Sequence, residues 1–363
     1  MLQLLNKTAF ETGVGLLTDQ HGRESVCIAI KGTFTIPASF TDELTLAEEQ
    51  LPVLTSDEYY GEPGKSSVKY PADVILGKTG TDIGLVGSAY SKDDAPTEKL
   101  KVSIRVGNLK KTIQVFGNRY WKKNKFLPGL SISKPELFTK MPLLYERAFG
   151  GADTSHEDKE KHTWYRKNPI GTGFKTNRHA LENCALPNFE DPDNLISHWK
   201  NIPEVMGYGF IDSSWEPRIT YAGTYDDAWQ KNQSPLLPKD FKIDFFNAAS
   251  RGLRTDQVIQ EEQNVELINV SPTGLIEFTL PSIKINATFH TNEDAAAKET
   301  KLWTILFEPD KNRFYLVWGE SFPIGKQPSK MRYIEVAIQG ESAFSKEVEI
   351  EGGEDGDTDS DEV

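Results

Sequence analysis

Thiols and imidazoles are scarce in this chain: Cys27 and Cys184 are its only cysteines in 363 residues, and six histidines stand at 21, 156, 162, 179, 198 and 290. One possible pair across so long a chain is no disulfide framework, which points to a reducing compartment. No two histidines are four apart, the helical spacing of a zinc site. Apolar runs are short throughout, none near the roughly 20 residues of a membrane-spanning helix. The opening MLQLLNKTAFETGVGLL has neither an uninterrupted apolar stretch nor a small-residue cleavage pattern. The expected compartment is therefore the cytoplasm, with no membrane partner. Positive charge is also short, 41 Lys and Arg against 54 Asp and Glu for a net charge of -13. That balance argues against a general nucleic-acid binder, which needs a basic footprint to displace phosphate counterions. Nine of the carboxylates fall in 347–363, where there is no Lys or Arg. This end of the chain reads as a disordered acidic tail, and the remainder is only mildly acidic.

Aromatics are plentiful, with 19 Phe, 12 Tyr and 7 Trp, ample for a packed core. In 25–36 (SVCIAIKGTFTI), alternation puts Val26, Ile28 and Ile30 on one face of a strand and Cys27 and Ala29 on the other. A turn at 19–22 leads back to a shorter strand at 13–18. Residues 101–106 and 111–116 form a second hairpin around Gly107-Asn108, and 73–89 reads as one or two strands broken by glycines. Further hairpins are expected at 265–270 with 275–280, around Ser271-Pro272-Thr273-Gly274, and at 302–307 with 314–318. A last strand follows at 331–338. Between the two strand-rich regions the texture turns to Pro, Gly, Trp, Tyr and Asn without periodicity, with short helices expected at 194–200, 225–231 and 239–249. The predicted class is mainly β: two β-rich sheets or sandwich-like portions joined by a loop-rich aromatic middle segment with short helices. The predicted divisions are 1–116, 117–250, 251–345 and the tail 346–363.

Several chemistries fail on spacing. Gly77-Lys78-Thr79 imitates the end of a phosphate loop, but Ala72 stands where its first glycine belongs. Gly171-Thr172-Gly173 reads as a tight turn with close backbone packing. The tail segment from Asp355 to Asp359 imitates a calcium loop, with Ser360 at the glycine position and no later bidentate Glu. There is no GxSxG elbow. A facing pair of carboxylates that cleaves glycosides is open, since sequence does not give their separation. No cofactor or metal is expected.

What remains are dense motifs without period: GEPGKSS at 61–67, GNRYW at 117–121, MPLLYERAFGG at 141–151, NPIGTGF at 168–174, LPN at 186–188, WEPRITYAGTYDDAW at 215–229, LPKDF at 237–241 and FFNA at 245–248. In Tyr145-Glu146-Arg147 an arginine fork held by a carboxylate or by carbonyls is expected. Polar pinning of loops onto the sheets is the favoured reading, with ligand contact the alternative.

This succession of motifs resembles the bacterial family known as domain of unknown function 2169, over about residues 10–320. The resemblance implies a non-enzymatic adaptor or chaperone of type VI secretion, which helps load a toxic effector onto a spike of valine-glycine repeat and PAAR-repeat proteins. The acidic tail departs from relatives that carry pentapeptide repeats. Alternatives are a carbohydrate-active enzyme and a structural component of the secreted spike. Because Arg, Trp and Tyr are enriched at interaction hot spots, the middle segment is expected to touch its partner through Arg119, Trp121, Tyr145, Arg147, Trp164, Arg166, Trp215, Arg218 and Trp229.

Overall fold

The computed structural model describes residues 3–123, 129–177, 181–292, 294–325 and 331–346. The expected disordered tail at 347–363 lies outside these residues, as does His179. Three large sheets are built from β1 (Gln3–Asn6), β2 (Glu11–Thr18), β3 (Glu24–Thr35), β4 (Asp82–Leu85), β5 (Lys99–Val106), β6 (Leu109–Phe116), β7 (Phe189–Glu190), β8 (Gln263–Ile268), β9 (Leu275–Leu280), β10 (Ile285–Thr291), β11 (Ala295–Glu299), β12 (Lys301–Glu308), β13 (Arg313–Gly325) and β14 (Met331–Ile338). Their orders are β2-β3-β13-β12-β4, β7-β6-β5-β8-β9 and β1-β14-β10-β11. The protein is mainly β.

Strands from the first and last thirds interleave. β3 pairs antiparallel with β13, β4 runs parallel to β12, and β5 lies beside β8. The alternation read in 25–36 decides how β3 is buried. Val26, Ile28, Ile30 and Phe34 face the main core, while Cys27 and Ala29 face a second cluster with Val68, Tyr70, Val74 and Phe210. Aromatic pairs join the layers of the main core: Phe278 on β9 lies 5.1 Å from Phe314 on β13, and Phe289 on β10 stacks 4.9 Å from Phe322. Each such pair adds roughly 0.5–1.5 kcal/mol beyond the area it buries.

The four hairpins form where turn chemistry places them. Residues 73–89 supply β4 and a short strand, Ser88–Tyr90. Of the three expected helices, one is an α-helix, α1 (Asp227–Asn232), capped by the Asp226 carboxylate on the Trp229 N–H. At 239–249 there is only a 3-10 turn, Ile243–Phe246. Helix is absent from 194–200, because the Asn201 side chain captures the N–H groups of Ser197 and His198 and folds a turn instead. Strands β1, β10 and β11 were not expected. Among the described residues no helix is long and apolar enough to cross a membrane.

Candidate interaction site

The aperiodic motifs meet one another in space. Glu146 sits in a single 3-10 turn, Tyr145–Arg147, and its carboxylate accepts hydrogen bonds from the backbone N–H (2.9 Å) and the hydroxyl of Ser67. Its partner is thus not its neighbour Arg147, whose Nη1 donates to Asn188 Oδ1 at 3.3 Å. The Asn168 side-chain amide donates to the carbonyls of Tyr145 (2.8 Å) and Phe149 (3.1 Å), and the Thr172 hydroxyl donates to the Glu146 carbonyl (2.8 Å). Gly171 lets these loops touch, since a Cβ there would come within 2.4 Å of Asn168 Nδ2 and 2.7 Å of the Ala148 carbonyl oxygen. The Tyr145 ring meets Trp215 edge-on at 5.7 Å.

Two buried arginines complete this scaffold. Arg119 donates to the Glu190 carboxylate and to the Pro187 carbonyl, and lies over the Phe116 ring. Arg218 donates to the carbonyls of Ile211 (2.6 Å) and Phe245 (3.0 Å), with Asp57 at 3.8 Å. Burial pushes the Arg218 pKa down, and Asp57 opposes the shift.

Beside Arg218 opens a cavity of about 450 Å3. Val205, Ile211, Pro217, Tyr221 and Ala249 give it mainly apolar walls, and charged groups stand around it: Lys167, Arg251 and Arg254 with Glu204 and Glu216. Arg251 pairs with Glu204 at 2.7 Å, Arg254 with Asp244 at 2.6 Å, and Arg166 approaches Glu216 at 3.9 Å. Lys167 is exposed and makes no ion pair among the described residues. On a chain of net charge -13, these cations make the cavity a local exception. Exposed apolar side chains adjoin its wall residues in sequence: Trp164 precedes Lys167, Ile202 precedes Glu204, and Ile219 follows Arg218. A second concavity, of about 390 Å3, gathers Asn118, Leu144, Arg147, Thr172, Leu186 and Asn188 from four motifs.

Beneath the first cavity lies Lys111 of β6, buried. Its amine donates to Ser250 Oγ (2.9 Å) and the Arg251 carbonyl (2.8 Å), and Ser250 Oγ donates onward to the Gly207 carbonyl (2.8 Å). Desolvation lowers the Lys111 pKa to about 7. The serine hydroxyl is buried and its proton is engaged, so the pair ties the loop at 250–251 to the sheet.

Of the nine residues expected at a partner surface, Arg119, Trp121, Tyr145, Trp215 and Arg218 are buried. Arg147 and Trp229 are half-buried, and Trp164 and Arg166 are exposed. Trp229 donates its indole N–H to the Leu236 carbonyl at 2.9 Å and packs on Tyr225. The cations Lys167, Arg251 and Arg254 were not singled out in the sequence. They lie outside the motifs, and only their nearness to NPIGTGF and FFNA marks them. Lys78, in the phosphate-loop look-alike, is buried against Asp82 at 2.7 Å.

A family model described as an uncharacterized protein conserved in bacteria (DUF2169) matches residues 21–319. The chain belongs to the DUF2169 family. That match spans every motif cited from GEPGKSS to FFNA, so the loop scaffold and the cavity beside Arg218 both lie within the DUF2169 region. No curated protein and no solved structure matches the chain.

Proposed function

We propose that the chain is a non-enzymatic adaptor or chaperone of type VI secretion, held in the cytoplasm, that binds a toxic effector and helps load it onto the valine-glycine repeat and PAAR-repeat spike. The observation that carries a protein-binding role is the cavity beside Arg218, whose apolar walls come mainly from the segment 117–250 and whose cations, Lys167, Arg251 and Arg254, stand beside the motifs. A concavity that receives an apolar anchor, edged by charge, is the form of an interaction hot spot. The secretion system and its components come from the family resemblance alone. Arg119, Tyr145, Trp215 and Arg218 serve this role by holding the loops, and Trp164, Arg166 and Lys167 by touching the partner.

The test is co-expression with an effector and spike proteins encoded beside the gene, followed by capture on the tagged effector. Reversing two exposed charges, Lys167→Glu with Arg251→Glu, is expected to reduce capture tenfold or more with an unchanged melting temperature. Undiminished capture removes the cavity from the proposal, and failure of every candidate component to form a complex removes the adaptor.

A further inference from the structure

Strand β2 is an open edge. It pairs only with β3, over Glu11–Thr18 and without a register shift. Beyond the end of β2, Thr33 and Thr35 of β3 turn their N–H groups to Gln50 Oε1 and the Thr45 carbonyl, on the side away from β13, while the Ile36 N–H reaches Asn312 next to β13. Odd-numbered residues of β3 therefore face β2. They meet Glu11, Gly13, Gly15 and Leu17 there, so Thr12, Val14, Leu16 and Thr18 direct their N–H and C=O groups outward. None of these four makes an outward hydrogen bond to another described residue.

The devices that usually blunt such an edge are absent. From Thr12 to Thr18 there is no charge, no proline and no bulge, and Leu16 is half exposed. The other large-sheet edges differ: β1 and β7 are short, four and two residues. β9 carries Glu277 in its middle, β11 carries Lys298 and Glu299, and β4 is covered, its Ile83 and Leu85 N–H groups bonding to the carbonyls of Leu253 and Tyr208. One face of β2 is also closed: a Cβ on Gly13 or Gly15 would meet Val53 at 2.6 Å or Val74 at 2.7 Å. The edge itself is left as the way to bind.

We infer that β2 is a strand-addition site for an extended segment of a partner polypeptide, uncharged along its middle and basic at its ends. Outward N–H and C=O groups supply the ladder, and Leu16 supplies a contact for an apolar side chain. The basic ends follow from Glu11 at one end of β2 and Glu24, opposite Thr18, at the other. Those same carboxylates disfavour a second copy, because antiparallel pairing of two β2 strands brings each Glu11 to the end of the other's sheet that carries Glu24, one strand further in, on chains already at -13. This inference is independent of the cavity beside Arg218.

The probe is a capped synthetic peptide, Lys-(Thr-Val)3-Lys, mixed with the full chain and followed by hydrogen exchange and by fluorescence anisotropy of a labelled copy. The expected result is at least tenfold slower exchange over 11–18 with peptide bound. Leu16→Pro, which removes an N–H that makes no internal bond, is expected to weaken Kd tenfold or more. Leu275→Lys, an equally exposed leucine on the β9 edge, should leave it unchanged. Unaltered exchange over 11–18 at millimolar peptide overturns the proposal whatever the variants do, as does equal weakening by both substitutions. A dimer in light scattering that Leu16→Pro dissolves assigns the edge to a second copy and overturns the occupant.

Discussion

The amine of Lys111 lies 2.9 Å from Ser250 Oγ, with no carboxylate among the described residues in contact with it. Such a group is stable in the interior mainly as the neutral amine, and its pKa falls to about 7. Between pH 7 and the lysine range the unfolded chain binds a proton that the folded chain does not, so stability rises with pH across that window. The expected result is that wild type gains a few kcal/mol relative to Lys111→Met between pH 7 and 10, in urea titrations at each pH. A constant difference between the two proteins would contradict the burial.

Arg218→Ala leaves two carbonyls without their donor and Asp57 without the cation 3.8 Å away. A loss of about 3–5 kcal/mol is expected, as for other broken buried ion pairs. Arg218→Lys should recover little of it, since an ammonium lacks the planar fork that reaches Ile211 and Phe245 together. Chemical denaturation measures both variants.

Two alanine substitutions at glycines separate packing from backbone strain. Gly64 has a φ of +75° and nothing within 4 Å of an added Cβ, so Gly64→Ala should cost only about 1–2 kcal/mol. Gly171→Ala meets the Asn168 amide and the Ala148 carbonyl at once. It is expected to lower the melting temperature several times more.

Tryptophan to alanine should divide in the same way. Trp215, 1% exposed against Tyr145, is expected to cost about 3–5 kcal/mol when truncated. Trp164, 54% exposed, should stay within about 0.5 kcal/mol of wild type while lowering effector capture. A stability loss at Trp164 in proportion to lost capture would make it scaffold.

The strand plan was legible where it rests on local chemistry. Gly107-Asn108 and Ser271-Pro272-Thr273-Gly274 write their turns into the chain, and alternation in 25–36 writes the two faces of β3. β11 was hidden because Ala295-Ala296-Ala297-Lys298-Glu299 has little strand preference of its own and forms only against β10. The site divides similarly. Lack of period exposed the motifs as something other than regular elements, but the exposure of each tryptophan is set by partners far along the chain. Lys111 did carry a signal: it shares the face of Ile113 and Val115, both buried, and a lysine on an apolar face is the pattern of a buried amine.

The pairing of β3 with β13 also bears on how the protein is made. Thr33 lies opposite Tyr315, about 280 residues later, so at synthesis rates of roughly 5–20 residues per second β3, an inner strand of this sheet, waits tens of seconds for that neighbour. During that time Ile28, Ile30 and Phe34 have left the ribosome with no β13 to cover them. A chain that keeps one edge of an inner strand unpaired for most of its translation depends on the cell to guard it, and slowing translation or depleting ribosome-associated chaperones should lower its yield before it lowers its stability.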